Sequence, residues 1–274
     1  MNLEKTIVFL LVLLTAVDIF FQAVLCYEMY ECAKQPNTSV GDIYWYIQLL
    51  LRATIYIVTF IGIYKLIKRK SIELVDEFKL SIFYSVIVNI FWYLLLLLSK
   101  ENSNLSHLHL LHGETWHGYA LFILNAGFVI LVCIYFFNRT EKKETNTAAP
   151  AIPKARFINW IIDFALISFF TLSHFSNFQR DLILLDFFTQ RESIQILFFL
   201  NTFLYYFVLE SLFLQTIGKL HNNSFVEYDG NRFTAILTRT LCRFIPFEAF
   251  TCFNNKGWHD LISKTRVVLL KKEV

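Results

Sequence analysis

The residues best placed to do chemistry are carboxylates lying inside apolar runs. Asp163 stands in Arg156-Phe-Ile-Asn-Trp-Ile-Ile-Asp163, about two turns into an apolar helix start. The seven-residue step from Arg156 puts both side chains on nearly one helical face. Glu210 stands in Tyr205-Tyr206-Phe-Val-Leu-Glu210, deeper in a second apolar run. An ionisable group within a span is costly unless it is paired or faces water, so each is a functional candidate. The chemistry expected of such a group is to exchange a proton or bind a cation near neutral pH. The plainer alternative for Asp163 is an Arg156–Asp163 clamp near the cytoplasmic interface. For Glu210 it is a stripe with Asn201 and Tyr205 or Tyr206 that hydrogen-bonds the helices together. Asp18 and Arg52, in the first two runs, form a similar pair whose expected role is structural.

Other polar residues read as structural. Thr216-Ile-Gly218-Lys219 follows an apolar run, so Gly218 reads as a helix stop and Lys219 as a cation favouring the helix C-terminus. Arg239 and Arg243 are four apart and share one helical face. Asp260, in Gly257-Trp-His259-Asp260, is expected to pair with one of them and tie the tail down, with His259 structural beside it. His107, His109, His112 and His117, with Glu114, match no defined metal spacing and read as a solvated loop. No serine elbow, His-Glu-x-x-His or phosphate loop is present, so neither an enzyme nor a cofactor is expected.

The elements that must position these residues follow from the distribution of charge. The chain is 56% hydrophobic, and its charged residues cluster between long apolar runs, as in a multi-spanning membrane protein. Six runs are long enough to cross: Ile7–Cys26, Ile43–Leu66, Leu80–Ser99, Tyr119–Phe137, Phe157–His174 and Ile194–Ile217. The first is too long for a signal-peptide core and lacks a small-residue cleavage site, so it is expected to be retained. The loops at 65–79 and 139–156 are basic, and those at 27–42 and 100–114 are not, which puts both termini in the cytoplasm. A seventh stretch, 233–253, carries Arg239, Arg243, Glu248 and Pro246. Each charge at the bilayer centre would cost about 2.5–3.5 kcal/mol, so an amphipathic or re-entrant helix is expected instead. The fold class is therefore all-α, a polytopic helical bundle. Residues 1–137 form a four-helix region, 138–154 a polar cytoplasmic linker, and 155–274 a second domain. Cys26 and Cys32 lie close together on the outer side, which suits a disulfide or two unpaired thiols equally. The net charge of +3 gives no reason to expect nucleic acid.

Across residues 155–270 the motifs occur in an order that resembles the RDD family of bacterial membrane proteins. They are Arg156…Asp163, Tyr205-Tyr206…Glu210, Thr216-x-Gly218-Lys219, Val226…Asp229-Gly230, Arg239…Arg243-x-x-Pro246-Phe247 and His259-Asp260…Thr265-x-Val267-Val268. Arg156, Asp163 and Asp260 stand where the family's naming residues fall. The resemblance implies a multi-pass protein of the bacterial inner membrane that exchanges monovalent cations for protons, with those three residues in ion coupling. A homodimer is expected, because two intramembrane acids are few for an antiporter. The alternatives are a non-catalytic scaffold whose basic residues meet anionic headgroups, and a transporter of small organic solutes.

Overall fold

The computed structural model describes residues 12, 54–65, 76–98, 149–178, 184–245 and 257–269. All of the expected first span except residue 12, the expected fourth span, Asp18 and Arg52, Cys26 and Cys32, the histidine-rich loop and residues 246–253 lie outside them. The chain divides into two compact units, Met1–Tyr135 with Leu172–Ser193, and Phe136–Thr171 with Ile194–Val274.

In the first unit, α1 (Thr54–Lys65) meets α2 (Asp76–Leu97) at small residues. The Thr59 and Ser81 hydroxyls are 2.6 Å apart and both residues are buried. A Cβ on Gly62 would fall 2.8 Å from the Phe78 nitrogen, so only glycine lets the backbones come so near. The α2 helix is apolar around most of its circumference and buries Phe78, Ile82, Phe83, Val86, Ile87 and Phe91.

The second unit is built on the larger parts of two long helices, α3 (Pro153–Phe178) as far as Thr171 and α5 (Gln190–Phe213) from Ile194; the one-turn α4 (Leu184–Phe187), between them in sequence, belongs to the first unit. Within α3 and α5, Pro153–Leu172 and Gln190–Phe213 are long and apolar enough to cross a membrane. Proline at the first position of α3 needs no N–H partner there. A capping box opens α5, with Glu192 accepting from the Thr189 backbone N–H (2.9 Å) and hydroxyl (2.8 Å). Asn201 donates to Thr171 (3.0 Å) and Tyr205 to Asp163 (2.6 Å), so the contacts run in opposite chain order and the helices are antiparallel. Phe157, Trp160 and Phe164 form a stacked aromatic ridge along the exposed side of α3.

The chain is mostly helical, but the all-helical expectation is incomplete. A three-stranded antiparallel sheet closes the second unit, in the order β1 (Ala149–Pro150), β3 (Thr265–Leu269), β2 (Ser224–Tyr228). Ser224 pairs with Leu269 and Tyr228 with Thr265, while Ala149 also pairs with Leu269 on the other side. Five-residue strands are too short to show a clear period of two. The end of the expected linker is also structured, and Pro150 is tolerated because β1 is an edge strand. Asn223 (φ 49°) turns the chain into β2. Gly230, in the expected Asp229-Gly230 turn, takes φ 83°, where glycine is unstrained.

Part of the 233–253 stretch forms α7 (Arg232–Cys242), capped by Asn231, whose side chain accepts from the Thr234 N–H. It is amphipathic, burying Ala235, Ile236, Arg239, Thr240 and Cys242 and exposing Phe233 and Leu241. The Phe207–Phe233 and Phe199–Phe244 ring pairs, with centroids 5.5 and 4.1 Å apart, run in opposite chain order. This segment therefore follows α5 in the reverse sense.

Candidate functional site

The site gathers where α3 begins and α5 ends. Leu214 adopts φ 56°, which terminates α5 one turn after Glu210. Glu210 therefore lies in the last turn of its helix rather than deep within it. The chain restarts at once as α6 (Ile217–His221), with Thr216 as N-cap accepting from the Lys219 N–H. Gly218 is thus inside a helix and is no helix stop. A Cβ there would strike the Asn159 carbonyl and come within 2.9 Å of Asp163 Oδ1, so its task is to let α6 touch α3.

That contact is made to Asp163. Its Oδ1 accepts from the Tyr205 hydroxyl (2.6 Å) and the Gly218 N–H (2.8 Å), and its Oδ2 accepts from the Thr216 hydroxyl (2.7 Å). Tyr205 and Thr216 are themselves acceptors, from the backbone N–H groups of Ile217 (3.3 Å) and Lys219 (3.3 Å). Each hydroxyl proton is thereby directed at the carboxylate. The carboxylate is buried and has donors on both oxygens. Nearby, Asn159 and Ser224 are within 3.0 Å of each other, joining α3 to β2.

One residue further along α6, Lys219 turns its side chain to the other carboxylate. Its Nζ forms an ion pair with Glu210 Oε1, an oxygen that also accepts from Arg243 Nη2 at 2.7 Å. Arg239 Nε lies 3.2 Å from Glu210 Oε2. Arg243 also sits over the Tyr206 ring, 3.7 Å from its centroid. Burial would pull the Arg243 guanidinium down, but Glu210 and Tyr206 outweigh it and hold its pKa above the ordinary arginine range.

Arg239 extends the network to the tail. Its Nη1 donates to Asp260 Oδ1 and to the Thr265 hydroxyl (2.6 Å), and Asp260 Oδ2 pairs with Arg156. His259 Nε2 is 3.3 Å from Asp260 Oδ1, so these neighbours converge although adjacent side chains are expected to diverge. Both lie in α8 (Trp258–Ile262), and the Ser263 and Thr265 hydroxyls lie 2.7 Å apart just beyond it. Burial alone would raise the Asp260 pKa, but Arg239, His259 and Arg156 together hold it well below the usual carboxylate range.

Arg156, Asp163, Glu210, Lys219, Arg239, Arg243, His259 and Asp260, all singled out from the sequence, fall in this one region of the second unit. Their pairing differs from the simplest expectation. Arg156 forms its ion pair with Asp260 and not as a local clamp with Asp163, whose partners are hydroxyls and an amide. The expected Asp260–Arg239 pair is present. Asn201, Tyr205 and Glu210 are all buried along α5; the first two hydrogen-bond to α3, through Thr171 and Asp163, whereas Glu210 pairs with Lys219 of α6. Thr216 and Thr265 are sequence motif residues whose hydroxyls prove to hold Asp163 and Arg239. A threonine directly before Ile-Gly-Lys is also an N-cap signal, which could have marked α6 as a new helix. Among the described residues, no group of histidine, cysteine and acidic side chains is arranged to hold a metal ion. Compared with family models, curated proteins and solved structures, the chain matches none of them.

Proposed function

We propose that this chain is a multi-pass membrane protein of the RDD type that exchanges a monovalent cation for protons. In this reading it has six spans, cytoplasmic termini and, in a bacterium, an inner-membrane location, and it acts as a homodimer. The observation that carries the reading is the convergence of Lys219, Arg239 and Arg243 on the single buried carboxylate of Glu210. A clamp needs one cation per carboxylate. Three, held beside a second buried carboxylate at Asp163, make a region whose charge can change with pH. In this arrangement Glu210 acts as counter-ion. Asp163, with donors on both oxygens, is the ion-coupling carboxylate, which takes the cation when those donors withdraw.

The experiment uses the purified protein in everted vesicles, with proton movement followed on addition of sodium, potassium or lithium. Cation-dependent proton flux that disappears in Asp163→Asn supports exchange. No flux from folded, correctly oriented wild type overturns it.

A second reading is favoured by the full engagement of Asp163 and Asp260, each with partners on both oxygens. In it the network is a scaffold fixing the tail to the membrane helices, with basic residues against anionic headgroups. Loss of the tail's basic residues would then matter more than loss of Asp163.

A further inference from the structure

We propose that Lys219 is the side chain of this cluster that gains and loses a proton, with Glu210 as its fixed counter-ion. The inference rests on the proton-linked reading above and names the group that carries the proton. Four cations, Arg156, Lys219, Arg239 and Arg243, face three carboxylates, Asp163, Glu210 and Asp260. His259, 3.3 Å from Asp260, adds no carboxylate to this count. An excess charge in a buried network is costly, and arginine does not lose its proton in proteins. Lysine can.

The geometry also lets Lys219 be neutralised without stranding a carboxylate. When its ammonium releases a proton to water, Glu210 keeps Arg243 on Oε1 and Arg239 beside Oε2. Asp260 keeps Arg156 and Arg239, and Asp163 keeps its hydroxyl and amide donors. The amine left behind can still donate to Glu210. The charged groups facing Lys219 are Glu210 from α5, Arg239 from α7, Arg243 at the C-cap of α7, and Asp163 from α3; His221 is the other basic residue of α6. Burial pulls the ammonium down, Glu210 offsets part of this, and Arg243 and Arg239 add to the pull. The result is a pKa lowered to about 8.

The position of Lys219 also suits a relay. Its backbone N–H caps onto Thr216, whose hydroxyl holds Asp163, while its side chain holds Glu210. A change of charge at Nζ therefore acts on the turn of helix that supplies two of the three donors to Asp163.

The test is a titration of the 13Cε resonances of lysine-labelled protein in nanodiscs. Lys219 is assigned by its absence from Lys219→Arg or, where that variant does not insert, from Lys219→Gln. The expected result is a midpoint near 8 for Lys219, with exposed lysines titrating at about 10.4. Arg243→Gln should move the Lys219 midpoint up by about one unit. A Lys219 midpoint at or above that of the exposed lysines overturns the proposal. The titration reads protonation without transport, so absence of flux in vesicles would defeat the exchange reading and leave this result standing. Where flux is present, its pH profile should shift or flatten in Lys219→Arg, and an unchanged profile would show that this proton is not the one exchanged.

Discussion

Arg156 and Asp260 are joined by a buried ion pair across 104 residues of chain. The first opens a long apolar helix and the second sits in a one-turn helix near the tail, so this contact closes the second unit on itself.

Removing one partner of that pair leaves the other buried and uncompensated, which costs about 3–5 kcal/mol. Arg156→Gln and Asp260→Asn should each lower the melting temperature in detergent sharply, with Asp260→Asn the worse because it also strips Arg239. The double variant should lose much less than the sum. Arg266→Gln, which breaks the exposed pair with Glu227, should cost about 1 kcal/mol or less. Additive losses in the first pair would contradict the structure.

The same carboxylate sets an acid limit. The folded-state pKa of Asp260 lies below its unfolded value, so its contribution to stability is complete above about pH 4 and is lost as pH falls further. Melting temperature measured from pH 6 downward should therefore begin to drop near pH 4. In Asp260→Asn, already less stable, that segment of the curve should be flatter.

Glycine at 218 is required by contact, not by conformation. Gly218→Ala should cost about 1–3 kcal/mol through its clash with the Asn159 carbonyl. Gly230→Ala meets no atom within 4 Å but must hold φ 83°, so it should cost about 1 kcal/mol. Comparing melting curves of the two variants separates crowding from backbone strain, and equal effects would argue against close approach of α6 to α3.

Adjacent tyrosines should respond differently to loss of the hydroxyl. Tyr205→Phe removes a donor to Asp163 and an acceptor for the Ile217 N–H, which should cost about 1–3 kcal/mol. Tyr206→Phe keeps the ring beneath Arg243 and should be close to neutral. Denaturation of both variants in the same detergent is sufficient, and a larger loss from Tyr206→Phe would reverse the assignment.

Much of this site is legible in the sequence because charge inside an apolar run is conspicuous. Arg156, Asp163, Glu210 and Asp260 announce themselves by their surroundings, and Arg239 and Arg243 by their four-residue step. Helical period tells which residues share a face, but it does not tell which element lies opposite. Arg156 and Asp163 do share a helix, yet their partners come from α8, α5 and the turn of α6. That turn exists because the backbone at Leu214 takes a positive φ, and leucine gives no sign of this. The strands were equally hidden, since Ser-Phe-Val-Glu-Tyr and Thr-Arg-Val-Val-Leu draw their order from pairing with each other.

The order of the sheet has a consequence for how the protein is made. Its central strand, β3, is synthesised after every other described element, so β1 and β2 have no partner until then. Asp260 emerges only a few residues earlier, when Arg156, Lys219, Arg239 and Arg243 are already in place with too few counter-charges. A ribosome-bound chain that has both apolar helices but not α8 therefore lacks the carboxylate that pairs with Arg156 and Arg239 in the folded protein. Synthesis of α8 and β3 is the step that supplies Asp260 to these cations and a partner to β1 and β2.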